Sequence, residues 1–262
     1  MAATRHFFIV GAQRSGTTYL ARVLDEHPEI EMAKPLDPEP KFFLRADLPN
    51  VGKETYVSRY FGDKDGSAWR GEKSTSYCEH EEAIRRLAGW FPAARLLFLA
   101  RDPVHRAYSN YLLSRRTGWE SLPFAEAVRT EEARRDDFDR NLVSASPFAY
   151  LRRGIYITQL RMLLRHFDRR QVLILITEET LGQSAAIAQV YRYLEVDPAF
   201  VPPSLHSIVN AGDPENGVSI SRELDLMLHA HFAPSIALLE QFLGRKIPAW
   251  ARDAADEPAR SC

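Results

Sequence analysis

Residues 6–20 read HFFIVGAQRSGTTYL, and the fold follows from how this stretch divides. Phe7 to Val10 form an unbroken apolar run, the pattern of a parallel strand buried on both faces. Gly11 and Gly16 bracket a turn, and from Thr17 to Leu24 the apolar residues return at helical spacing. The stretch therefore predicts a strand, a glycine loop and a helix N-terminus. Such a junction suits an anion, because the first turn of a helix leaves backbone N–H groups without intrahelical partners and carries a partial positive charge. Glycine lets the backbone close around oxygen atoms with no Cβ in the way.

The loop keeps the spacing G-x-x-x-x-G-K-[ST] at every fixed position but one, where Thr17 replaces the lysine. Nucleoside triphosphate hydrolysis relies on that lysine and on Mg²⁺ held by the next hydroxyl, so a P-loop small-molecule kinase or ATPase is disfavoured. A cation stands three residues earlier, at Arg14. The expectation is a metal-free site for another phosphorylated group. Arg14, the backbone of Ser15, Gly16, Thr17 and Thr18, and the two threonine hydroxyls would supply the donors.

Working outward, EIEMA after His27-Pro28 predicts a short strand, and KPLDPEP an extended loop pinned by Phe42 and Phe43. ETYVSRYF predicts an amphipathic helix, Trp69 to Lys73 a strand, 80–90 a helix and RLLFLA a strand ending on Arg101-Asp102-Pro103. Pro103 suits the first turn of the next helix, with Asp102 as its cap. Residues 118–149 are polar and weakly periodic, suggesting either a substrate-facing insertion or a pair of surface helices. Leu160, Leu163, Leu164 and Phe167 sit at i, i+3, i+4, i+7 in a helix facing the sheet; QVLILI is a further strand and 183–194 a further helix. A proline-rich loop over 198–220 leads to two short helices, Leu224–Phe232 and Ile236–Leu243. Strands alternating with helices define an α/β class: a P-loop-like three-layer fold, with a central parallel sheet flanked by helices on both faces. Ligands in such a sheet sit at the carboxyl ends of the strands, where GAQRSGTT, EKST and RDPVHRAYS all fall.

With 262 residues, 45% of them hydrophobic, the chain is expected to form one domain over 1–250, with a frayed tail over 251–262. A net charge of −1 argues against nucleic acid or another polyanion as partner. Cys78 and Cys262 make neither a disulfide framework nor a zinc spacing. No apolar run of about 18 residues is available for a membrane span, and the lead into the first strand has no signal-peptide pattern, so the expected location is cytoplasmic.

Taken together, the motifs resemble the sulfotransferases that use 3′-phosphoadenosine 5′-phosphosulfate (PAPS) as donor and release 3′-phosphoadenosine 5′-phosphate (PAP). GAQRSGTTYL resembles their 5′-phosphosulfate loop. RDPVHRAYSNY resembles their 3′-phosphate site, in which Arg101 is followed eight residues later by Ser109. PEPKFF, GEKSTSY, the segment 154–181 and VYRYLEVDP resemble the heparan-sulfate branch. The likeness runs from about residue 6 to 200 and more loosely over 221–250.

The resemblance implies a soluble bacterial-type enzyme with PAPS, and no metal, as cofactor. It would transfer the sulfuryl group in line to a hydroxyl on a small molecule, lipid or glycan. Arg14, Ser15, Gly16, Thr17, Thr18, Arg101 and Ser109 would bind the donor. Catalysis would use Arg14 for charge stabilisation, Lys73 to neutralise the transferring group or orient the acceptor, and Glu39 as base, its carboxylate tuned by the wall of Phe42 and Phe43. Asp37 and His105 are competing bases. A solvated strand-end lysine and a surface loop acid are the competing readings of Lys73 and Glu39. A PAP-binding module without turnover is the non-enzyme alternative. Two family features are missing from the sequence: the membrane anchor of the Golgi members, and their basic glycine loop near the C-terminus, for which VNAGDPENGVSISREL offers only Arg222.

Overall fold

The computed structural model describes residues 5–48, 51–62, 64, 67–139, 143–207 and 220–251. Five strands form its centre: β1 (Arg5–Gly11), β2 (Ile30–Met32), β3 (Trp69–Lys73), β4 (Arg95–Ala100) and β5 (Val172–Ile176). Their order is β2-β3-β1-β4-β5, with every neighbouring pair parallel. The helices are α1 (Thr17–Asp25), α2 (Lys53–Tyr60), α3 (Glu81–Trp90), α4 (Pro103–Arg116), α5 (Phe124–Arg129), α6 (Tyr156–Leu163), α7 (Thr177–Thr180), α8 (Ser184–Leu194) and α9 (Arg222–Leu243).

The apolar run of β1 sorts by the two-residue period of a strand. Phe8 and Val10 join one core with Leu96, Phe98 and Ala100 of β4, closed by α3, α6 and Leu239 of α9. Phe7 and Ile9 join the opposite core with Leu97 and Leu99, closed by α1 and α8. Both faces of the sheet are therefore covered, the three-layer arrangement expected for a parallel sheet. The order also places β3, β1 and β4 side by side, so the three motifs that follow these strands leave the sheet at adjacent points.

Three expectations fail. The helices expected over Leu224–Phe232 and Ile236–Leu243 are one 22-residue helix, α9, with Pro234 inside it. Proline removes a single intrahelical donor. Pro234 lies on the exposed face, while Leu228, Phe232 and Leu239 bury the other side, and this burial carries the helix through. Segment 118–149 is not a surface helix pair either. Among its described residues the one helix, α5, has six residues, and Phe124, Ala127 and Val128 pack with Phe148 and Tyr150 on Val104, Ala107 and Tyr111 of α4, a third core that α9 completes. The helical series ending on Phe167 also stops early: α6 ends at Leu163, and Phe167 reaches the core from the following turn. The tail after Ala251 and residues 208–219 of the proline-rich loop lie outside the described residues.

Candidate active site

The loop after β1 turns sharply into α1 and leaves that helix uncapped by any side chain. Arg14 has φ 67° and Gly16 φ 80°, so the chain passes twice through the left-handed region before α1 begins. Gly16 is the N-cap of α1, with no side-chain cap and no acidic residue in the first turn, which leaves the amides of that turn available. Ser15 is fully buried, and its carbonyl accepts from Thr177 Oγ1 at 2.8 Å. Its side chain faces the interior, so only its backbone is left for a ligand. Thr17, in the lysine position, is 5% exposed.

At the end of β4, Asp102 Oδ1 accepts from Val104 N at 2.9 Å and His105 N at 3.0 Å, the cap expected from Asp102-Pro103. Tyr156 OH donates to the Arg101 carbonyl at 2.6 Å, and Glu178 accepts from Asp102 N at 2.9 Å. These contacts fix the turn from which Arg101 projects. Arg101 then donates to the Arg14 carbonyl at 3.3 Å, and Arg14 Nε donates to Ser109 Oγ at 3.1 Å. Arg14, Arg101 and Ser109, expected from separate motifs, thus meet at one point.

A third cation joins them. Arg116 lies seven residues after Ser109 on α4, two turns along the same helix face. Burial lowers the Arg14 pKa, and the charges of Arg116 and then Arg101 lower it further. Among the described residues none of the three guanidinium groups is paired with a carboxylate. Arg106, inside the same motif, has a different duty: it is fully buried, it donates to the Ala149 and Tyr150 carbonyls, and burial lowers its pKa to about 10.

On the other side of the loop, Lys73 ends β3 opposite Ile9, with its side chain 5% exposed. Its Nζ donates to Thr18 Oγ1 at 3.3 Å and lies 3.5 Å from Glu39 Oε1. Glu39, 15% exposed at the side chain, also accepts from Thr75 Oγ1 at 2.9 Å and Thr75 N at 3.2 Å. Neither residue is the solvated surface group of the competing reading. Phe42 and Phe43, the expected wall, are both buried in the aromatic core with Tyr56 and Trp90. Of the competing bases, Asp37 is exposed, and His105 is half exposed with Nδ1 3.7 Å from Asp102 Oδ1, on the Arg101 side of the loop.

The result is a strip across the carboxyl ends of β3, β1 and β4, with Glu39, Lys73 and Thr18 in contact at one end and Arg14, Arg101 and Ser109 in contact at the other. Sequence reasoning missed Arg116, whose seven-residue offset from Ser109 was the available signal. The stretch searched for a basic loop lies mostly outside the described residues; Arg222 opens α9. Among the described residues no cluster of His, Cys, Asp or Glu is arranged to hold a metal, and no helix is long and apolar enough to cross a membrane.

A parallel sheet with a glycine loop after its central strand, and a cluster of arginines beside it, defines a P-loop-like nucleotide-binding fold. The comparisons narrow this class. A family model described as "Sulfotransferase family" matches residues 6–56. Human heparan sulfate glucosamine 3-O-sulfotransferase 3B1 is 31% identical over 182 residues, 68% of this chain and 42% of its own length. The crystal structure of a sulfotransferase from Alicyclobacillus acidocaldarius is 29% identical with a TM-score of 0.76, over 96% of this chain and 100% of that one. A mouse sulfotransferase complexed with PAP shares the fold at 13% identity, with a TM-score of 0.52 over 90% of this chain and 85% of that one. The chain belongs to the sulfotransferase family. It spans less than half the length of the first curated relatives it matches.

Proposed function

We propose that the chain transfers a sulfuryl group from PAPS to an acceptor hydroxyl. The observation that carries this reading is the contact of Arg14 with Ser109, which joins the β1 loop to the α4 anion site. A donor with phosphate on both its 3′ and 5′ sides needs two such sites, and ATP does not. The unpaired guanidinium groups of Arg14, Arg101 and Arg116 suit a 3′-phosphate, with Ser109 as hydroxyl donor. The open amides of the α1 first turn suit the 5′ side.

The donor supplies a sulfuryl group on a phosphosulfate anhydride. The acceptor oxygen bonds to sulfur as the bridging sulfur–oxygen bond breaks, the electron pair leaves on the phosphate oxygen of PAP, and the hydroxyl proton passes to Glu39. Lys73, placed between Glu39 and Thr18, stabilises charge at the transfer point, and the α1 amides do so at the departing phosphate. Arg14 acts chiefly by binding, since a guanidinium holds its proton. The acceptor is a hydroxyl of a small molecule, lipid or sugar. A glucosamine-containing glycan enters this set through the name of the 31% identical relative.

PAP raises the melting temperature in this reading, and ATP-Mg²⁺ does not. Labelled PAPS is then offered with a glucosamine oligosaccharide, a phenol and a fatty alcohol. Stabilisation by ATP-Mg²⁺ alone would replace the reading with a kinase. PAP binding with no labelled product from any acceptor would leave a binding module.

A further inference from the structure

The loop that carries Glu39 is tied down by a carboxylate outside the strip. Glu72, next to Lys73 on β3, is fully buried. Tyr56 OH donates to its Oε2 at 2.6 Å, and Ser74 Oγ and Tyr77 OH each donate to its Oε1 at 2.6 Å. Two of these hydroxyls are also acceptors. Ser74 Oγ accepts from Lys41 N at 2.9 Å, and Tyr77 OH accepts from Phe43 N at 3.1 Å. A hydroxyl has one proton and two lone pairs, so a proton committed to Glu72 turns the oxygen into an acceptor for the loop amide. Tyr56 touches Glu72 as well, but it has no hydrogen bond to the 38–43 backbone among those of the described residues.

Isolating a carboxylate from water costs free energy, and here burial raises the Glu72 pKa while the three hydroxyls act against the rise. A β-strand position facing an aromatic core would ordinarily hold an apolar residue. The cost is offset by what the carboxylate orders: it spans two chain segments about thirty residues apart, whose Glu39 and Lys73 side chains have to meet.

We propose that Glu72 is a positioning residue: through Ser74 and Tyr77 it fixes the backbone of Lys41 to Phe43 and so holds Glu39 against Lys73. The proposal rests on Glu39 being the base. Its test compares Ser74→Ala/Tyr77→Phe with Tyr56→Phe, since both change the Glu72 shell but only the first cuts the ties to the loop. Three quantities are read: hydrogen exchange at the Lys41 and Phe43 amides, PAP affinity by calorimetry, and kcat with labelled PAPS and the acceptor found in the panel above.

In the double variant the two amides exchange at least about tenfold faster and kcat falls at least about tenfold, while PAP affinity stays within about twofold. Tyr56→Phe lowers the melting temperature and leaves both amides and kcat within about twofold. Equal losses of kcat in the two variants, tracking their melting temperatures, would reduce Glu72 to a stabilising group. Unchanged exchange at the two amides in the double variant would overturn the proposal outright. Failure of the base assignment is separable, because it appears as activity in Glu39→Gln, and the exchange readout does not depend on turnover.

Discussion

Arg101→Ala tests whether the α4 site reads a 3′-phosphate. The guanidinium is half-buried, donates to the Arg14 carbonyl, and has no carboxylate partner among the described residues, so its removal leaves no buried acid uncompensated. Two unit charges 4 Å apart interact by about 4 kcal/mol at an effective dielectric constant of 20. Solvent access and the lost hydration of both groups cut this to the net value of a charge-assisted hydrogen bond, about 1.5–3 kcal/mol, which is about 10- to 150-fold in Kd. The structure places the answer at the low end. Arg101 is one of the charges that depress the Arg14 pKa, so deleting it relieves repulsion that the ligand otherwise relieves. PAP should therefore bind about tenfold more weakly, while adenosine 5′-monophosphate, which lacks the 3′-phosphate, should change less than about threefold. Calorimetry with both nucleotides at one salt concentration measures the difference. Parallel losses for the two would show that Arg101 supports the fold of the site and does not read the 3′-phosphate.

The other predictions concern neighbouring parts of the strip. Arg116→Ala should weaken PAP about three- to tenfold, whereas Arg115→Ala, whose guanidinium donates to the Ser121 carbonyl, should not; equal effects would mean a general field. Lys73→Ala should lower kcat about 10²-fold with PAP affinity within about threefold, and a matching loss of affinity would move Lys73 into donor binding. Asp102 gives the pH dependence. Burial raises its pKa, but the hydrogen bond with His229, the His105 amide and the charges of the two histidines outweigh this and hold it below the ordinary 3.8. A folded-state pKa below the unfolded one gives stability that is present above about pH 4 and lost as pH falls through the folded value. Asp102→Asn should flatten that acid limb, by about 2–4 °C in melting temperature for each 1 kcal/mol removed, and an unchanged limb would count against the pairing. Phe98→Ala, a fully buried ring, should cost about 3–5 kcal/mol in a denaturant titration, and less than about 1 kcal/mol would contradict the described core.

What could be read from the sequence was set by how far each interaction reaches along the chain. RLLFLA coincides with β4 because burial on both faces writes a continuous apolar run, and the Asp102-Pro103 start of α4 was legible because a cap acts over three residues. Where the deciding partner is distant, local rules gave the wrong answer or none. Pro234 reads as a break, yet the continuity of α9 is set by Leu228, Phe232 and Leu239 against other elements. Segment 118–149 looks aperiodic because its described buried residues are divided between the short α5 and the stretch around Phe148 that leads to Tyr150. The meeting of Glu39 with Lys73, 34 positions apart, was available only through family likeness, and the hydroxyls around Glu72 come from positions 56, 74 and 77.

The same logic changes the meaning of the missing P-loop lysine. Reading the loop alone makes Arg14 the substitute cation, because it is the nearest one along the chain. In three dimensions Arg14 turns to Ser109 and Arg101, while the cation beside Thr18 is Lys73, contributed by the adjacent strand. The parallel pairing of Ile9 with Lys73 is what brings it there. A strand neighbour can thus deliver to the loop's threonines the charge that the P-loop pattern delivers from within the loop. Because Lys73 also reaches Glu39, the proposed mechanism sets that charge between donor and acceptor sides, where a lysine at position 17 would be committed to the donor's phosphates. Thr17→Lys should accordingly not restore the activity of Lys73→Ala in the labelled-PAPS assay. Recovery there would mean that the loop position, and not the link to Glu39, is what the reaction requires.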